Sequence, residues 1–202
     1  MSTLNVSNLV TRDLEDDLAF KTNNTTRMLL TSAGTLSGAG GSITNFTGVG
    51  KVLQVVSFTT DTISTTTSTS LANTAVTAAI TPSSTSSKIF VNASVCAGSN
   101  SDQNNIMGFA LRRDTTDIGL STTASSNRKN VTAGPGQTGE HFLGSISLTS
   151  LDSPNTTSEV DYYVTFLARS GYTTQINRSG ADADQAYTYR GSSTITLMEI
   201  SG

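Results

Sequence analysis

One histidine and one cysteine are present in the whole chain, so any thiol–imidazole chemistry must use Cys96 with His141. A nucleophilic cysteine needs an adjacent base and a lowered thiol pKa. The ordinary alternative is a small side chain on a strand and an imidazole at a loop edge, and the sequence favours that reading. Serine and aspartate are plentiful, but no nucleophile-elbow spacing surrounds any serine. Paired carboxylates cut glycosides when they flank the bond. Asp182 with Asp184, and Asp114 with Asp117, are the available pairs. Both lie in or beside polar turns, where Asp is used for local hydrogen bonds. A calcium loop built on Asp182 and Asp184 would need a spaced glycine and a downstream glutamate that the sequence does not supply. The chain is therefore expected to have no catalytic residues, no metal site and no cofactor.

Binding chemistry is better represented. Aromatic faces match the C–H faces of sugars. There is no Trp, which leaves Tyr172, Tyr187 and Tyr189, all near loops, as candidate receptor contacts. Core or interface packing is the competing use for them. Arg112 and Arg113, then Arg128 and Lys129, form two short basic pairs able to grip an acidic polysaccharide, with solvated surface charge as the plainer account.

The elements holding these residues follow from composition. Ser and Thr make up about a third of the 202 residues, while charged residues are only 13%. Thr suits a pleated strand and Ser suits turns. A net charge of −3 and a pI near 5.0 argue against nucleic acid as a partner. No apolar run is long enough to span a bilayer as a helix, so no membrane insertion is expected. The start, MSTLNVSNLV, lacks a secretory pattern, so synthesis and assembly in a cytoplasm are expected.

Residues 1–49 carry too few apolar groups to fold alone. They read as a possible strand at 4–10, a Leu14/Leu18 pair one helical turn apart, a strand at 27–36 and a Gly/Ser joint at 37–42. From residue 50 the texture becomes strand, turn, strand, with eight or nine strands to residue 202. The segment 51–58 is apolar on both parities, with Val52, Val56 and Phe58 on one and Leu53 and Val55 on the other. The last strand, 193–200, places Ile195 and Leu197 on one face and Met198 and Ile200 on the other. A strand covered on both faces needs a second layer. Leu53, Val55, Met198 and Ile200 are therefore the candidate oligomer contacts. Residues 88–96 direct Ile89, Val91, Ala93 and Val95 one way. Residues 141–149 align Phe142, Gly144, Ile146 and Leu148, and SLDSPNTTS at 150–158 reads as a turn because Asp, Pro and Asn each favour one. Residues 159–169 place Val160, Tyr162, Val164 and Phe166 inward.

The fragments LQVVSFTTDT, PSSTSSKIFV, FALRRDTTDIG, LDSPNTTSEVDYYV, INRS and STITLMEI, in this order, resemble a module of marine bacteriophage (cyanophage and pelagiphage) tail-fibre and other virion structural proteins. The opening STLNVSNL is similar to segments that precede such modules. The resemblance spans about residues 50–200. It implies an antiparallel β-sandwich knob, jelly-roll-like and homotrimeric, on a virion. A short extended anchor, residues 1–45, would dock on other virion structural proteins, and the knob at 50–202 would meet a host surface glycan. The rival role is a capsid-decoration, head-fibre or connecting protein that stabilises the particle without binding a receptor.

Overall fold

The computed structural model describes residues 18–22, 25–30, 36–37, 51–100, 106–123, 126–134 and 139–202. The chain divides into two compact units, Met1–Val49 and Gly50–Gly202. In the first, β1 (Leu18–Thr22), β2 (Thr25–Leu30) and β3 (Leu36–Ser37) form a small antiparallel sheet in the order β1-β2-β3. The expected strand at 4–10, the partner Leu14 and the joint beyond Ser37 lie outside the described residues.

The second unit is all-β, with no helix among its described residues. Its strands are β4 (Val52–Thr60), β5 (Ser64–Thr66), β6 (Ala72–Ile80), β7 (Lys88–Ser99), β8 (Met107–Arg113), β9 (Thr116–Ile118), β10 (Gly144–Asp152), β11 (Val160–Ala168), β12 (Thr174–Ile176) and β13 (Ser193–Ile200). Every printed pairing is antiparallel. Two sheets result. One runs β4-β13-β7 with β10 on the far flank of β7, and the other runs β6-β11-β8-β9. Ala97 of β7 faces Gly144 of β10 on one side and Ile176 of β12 on the other. The short strand β12 thus continues the flank of β7 that β13 occupies further down, and β5 continues β4 in the same way.

Alternation explains the packing. Ile89, Val91, Ala93, Val95 and Ala97 of β7 point inward with Ile146, Leu148, Ile195 and Leu197. They meet Val76, Ile80, Phe109, Leu111, Val160, Tyr162, Val164 and Phe166 of the other sheet. Period-two side chains on two sheets give a sandwich because each sheet has one apolar face to hide.

Several boundaries differ from the sequence expectation. Strand β10 begins at Gly144, so Phe142 is not aligned with Ile146 but is 59% exposed. The same strand runs to Asp152, into the Asp-Ser-Pro stretch read as a turn. Strand β7 continues to Ser99 because β12 and β10 pair with its end. Strand β6 joins the second sheet through β11, so the Thr-rich stretch 59–80, which its composition alone suggests is an outer hairpin or edge pair, is split between the two sheets.

Polar groups fix the corners. Asn177 adopts φ 64°, a left-handed conformation that Asn tolerates. Its buried amide donates to the Thr60 and Thr62 carbonyls at 3.1 and 2.9 Å. Its side-chain oxygen accepts from Ser193 Oγ at 2.6 Å, and that hydroxyl accepts from the Cys96 amide at 3.0 Å. One side chain thus ties the β4–β5 corner to β13 and β7. Next to it, a Cβ on Gly180 would lie 1.8 Å from the Ser99 carbonyl oxygen, so only glycine permits that approach.

Candidate interaction surfaces

The residues suggested for catalysis are engaged otherwise. His141 packs edge-on against Tyr187, with ring centroids 4.8 Å apart, and its Nε2 lies 3.8 Å from Glu140. No hydrogen bond joins it to Cys96, and its buried Nδ1 has no partner. Asp182 accepts from Arg178 at 2.9 Å and also binds Arg190. Asp184 shares with it the wall of a 330 Å³ depression. Asp117 binds Arg112 at 2.7 Å. Asp114 occupies the turn between β8 and β9 with φ 50°, and accepts from the Asp161 amide at 3.0 Å. Asp114, Asp117 and Asp182 thus serve turns and ion pairs. Among the described residues, no three His, Cys, Asp or Glu side chains gather as a metal site would require.

The candidate oligomer contacts do share one surface, the outer face of the β4-β13-β7-β10 sheet. Register builds it. Met198 lies opposite Val55 on one side and Phe90 on the other, and Phe90 lies opposite Leu151. Val55–Met198–Phe90–Leu151 is therefore an apolar row crossing all four strands. Ile200, with Val52 opposite, extends it at a bulge that sets off Leu53. Val55 is 55% exposed and Leu151 60%. Phe90 and Leu151 were not singled out from sequence. The signal was available for Phe90, which shares the outward parity of Asn92 and Ser94. Leu151 was hidden by its turn-like neighbours.

Beyond the apolar row come hydroxyls. Ser57–Thr196–Asn92–Thr149 make the next row, then Thr59–Thr194–Ser94–Ser147. Ser57 and Thr196 hydroxyls are 3.0 Å apart, and those of Thr59 and Thr194 are 2.8 Å apart. Within the four strands, Lys88 is the one formally charged side chain with the outward parity of this face, and it donates to Ser153 Oγ at 2.7 Å.

Behind the row sits a buried carboxylate. Glu199, between Met198 and Ile200, points inward and is fully buried. It accepts from the Ser83 amide at 2.7 Å, Ser83 Oγ at 2.6 Å and Gln54 Nε2 at 2.6 Å. Burial alone would raise its pKa, but the bonds donated by Ser83 and Gln54 outweigh this and hold it down at about 2. The ion tethers the 81–87 turn beneath the row.

The three tyrosines divide. Tyr187 and Tyr189 line a 450 Å³ aromatic hollow with His141, Phe142 and Leu143. Tyr172 is not part of it and lies under the Arg169 guanidinium, 5.4 Å from ring centroid to Cζ. The basic pairs divide too. Arg112 and Arg113 are spent on Asp117 and Asp152, each at 2.7 Å. Arg128 and Lys129 are exposed and make no ion pair among the described residues.

Comparison with protein-family models found no matching family, and comparison with curated proteins found no match.

Proposed function

We propose that this chain is a non-enzymatic structural subunit of a bacteriophage particle, a short homotrimeric fibre or appendage. Residues 1–45 dock on other virion components. Residues 50–202 project as a jelly-roll-like knob that contacts the host surface. The sandwich strand orders β4-β13-β7-β10 and β6-β11-β8-β9 are compatible with the jelly-roll arrangement.

The observation that carries this reading is the outer face of the β4-β13-β7-β10 sheet. An apolar row spans its width, and paired hydroxyls fill its middle. Charged groups are depleted at the centre of subunit contacts because each must be stripped of water. Hydroxyls that already bond one another lose little when covered. The threefold number comes from the resemblance to phage fibre modules. Many copies on one particle would convert weak host contacts into firm attachment.

Val55→Asp and Met198→Asp test the assembly. Each puts an unpaired charge into the proposed contact, costing about 3 kcal/mol or more per subunit. Multi-angle light scattering should report trimers for the wild type and monomers for both variants, with unchanged β-sheet circular dichroism. A monomeric or dimeric wild type, or variants that remain trimeric, would overturn the assignment.

A further inference from the structure

The second sheet carries a different feature at the end where β8 begins and β11 finishes. A cleft of 530 Å³ is lined there by Ile106, Met107, Gly108, Val131, Leu167 and Ala168, with Arg128, Lys129 and Arg169 among its other lining residues. Its size is that of pockets that hold small ligands.

The floor is aliphatic for a structural reason. Met107 pairs with Ala168 and Gly108 with Leu167 across the β8–β11 ladder. Residues 131–133 then return along the free flank of β8. The Thr132 and Ala133 amides donate to the Phe109 carbonyl at 2.8 and 3.1 Å. A Cβ on Gly108 would lie 2.6 Å from Val131 Cγ1. Glycine is thus what lets Val131 close down beside Leu167. Ile106, at the cleft edge, is 57% exposed.

Among the described residues, the remaining lining includes three cations and no carboxylate. Arg128 and Lys129 come from the returning loop, and Arg169 from just past β11. All three are exposed. Arg169 is held over Tyr172, which limits its freedom. Elsewhere on this chain Arg112, Arg113, Arg178 and Arg190 each have an Asp partner. Three like charges around one concave surface, on a chain of net charge −3, concentrate a positive potential there.

From these observations we propose that the cleft binds a single anionic amphiphile, with an acyl or similar apolar chain on the Ile106–Val131–Leu167 floor and a phosphate or carboxylate head among Arg128, Lys129 and Arg169. A bare sugar acid would leave the aliphatic floor wet, and a neutral lipid would leave the cations without a counter-charge. The inference stands apart from the oligomer reading, since it uses the other sheet and none of the proposed contact residues.

Isothermal titration of the full chain tests it with three probes kept below any micelle concentration: octyl phosphate, octyl glucoside and inorganic phosphate. Octyl phosphate should bind once per chain, at least tenfold tighter than either other probe. The triple variant Arg128→Gln/Lys129→Gln/Arg169→Gln should weaken it at least tenfold, while Ile106→Ser weakens octyl phosphate and leaves inorganic phosphate unchanged. These positions are exposed, so thermal melts should stay near wild type. Equal affinity for the three probes would overturn the proposal, as would a triple variant that binds octyl phosphate normally. Capture by phosphatidylglycerol vesicles without octyl phosphate binding would also overturn it, because the cations would then be a flat patch and not a pocket rim. Light scattering on the same samples reports assembly separately, so failure here and failure of the oligomer reading are distinguishable.

Discussion

Replacing Glu199 with Gln removes one charge and changes almost no volume. Its consequence can be worked from the contacts. The carboxylate accepts the Ser83 amide, the Ser83 hydroxyl and the Gln54 amide at 2.6–2.7 Å. A glutamine presents one oxygen and one NH2 group, so one of these donors must face another donor unless Gln54 flips its amide and gives up the Thr81 carbonyl. The Ser83 hydroxyl can rotate, but the backbone amide cannot. Leaving a buried donor unmet costs about 1–3 kcal/mol, and bonds to a charged acceptor are the stronger kind. Linkage gives a second route to the magnitude. The ordinary value of 4.5 is lowered to about 2, which at roughly 1.4 kcal/mol per decade amounts to on the order of 3 kcal/mol of stability when the group is charged. Because the folded value is the lower one, that stability is complete well above pH 4.5. It drains as pH falls from 4.5 towards 2, where the folded-state group is protonated too. Urea denaturation followed by circular dichroism, at one fixed protein concentration because assembly would couple to unfolding, should show E199Q about 2–3 kcal/mol less stable at pH 7. The deficit should shrink by more than half at pH 2.5. A variant within 0.5 kcal/mol of wild type at pH 7, or a deficit that does not change with pH, would refute the reasoning.

Substitutions at two further positions probe the frame that holds the surfaces. Asn177→Ala removes three hydrogen bonds, two of them fully buried, and leaves a β-carbon at φ 64° without the side-chain bonds that help Asn adopt it. It should cost about 3–4 kcal/mol in chemical denaturation, and Asn177→Gly about 1 kcal/mol less, since glycine takes that backbone conformation freely. Equal losses for the two would show that the backbone conformation contributes nothing. Tyr162 donates to Asp152 Oδ2 at 2.7 Å, beside Arg113 on the same oxygen. Burial first, then that bond, raises its pKa well above 10. A raised folded value means stability is complete below pH 10 and is lost above it. In alkaline titration followed at the tyrosinate absorbance, the wild type should show a slow component that ionises only on unfolding. Tyr162→Phe should lack that component and lose about 1–2 kcal/mol at pH 7.

Strand identity was legible wherever alternation was clean. β7, β11 and β13 place inward the residues that a period of two puts there. What sequence could not supply was register. Val55, Met198, Phe90 and Leu151 come from four strands, and only the pairing of those strands lines them up. The same holds for the cleft, where Arg169 joins Arg128 and Lys129 from across the β8–β11 ladder. Turn signals misled at Asp152. Asp, Ser and Pro in succession read as a turn, yet the aspartate closes a strand because Arg113 and Tyr162 both bond its carboxylate. Nothing in the sequence marks Asn177, since the Thr60, Thr62 and Ser193 groups that it binds reach it only in the folded chain.

The Ser and Thr excess gains a second meaning from the folded arrangement. As composition it argued for strands and turns. On the outer face of the first sheet it does something that Lys and Glu could not. Lysine and glutamate on an exposed sheet keep it soluble and must be rehydrated or paired when another surface covers it. Ser57 with Thr196, and Thr59 with Thr194, already satisfy one another within the chain at 3.0 and 2.8 Å. Covering them therefore costs little, while the row Val55–Met198–Phe90–Leu151 gains roughly 25 cal/mol for each square ångström hidden. A face of this kind tolerates water when bare and gives it up at little cost to a surface that covers it. An apolar face of equal area would aggregate before it assembled. That asymmetry is the physical reason for placing the proposed subunit contact on this sheet and the proposed ligand cleft on the other, where Arg128 and Lys129 make no ion pair among the described residues.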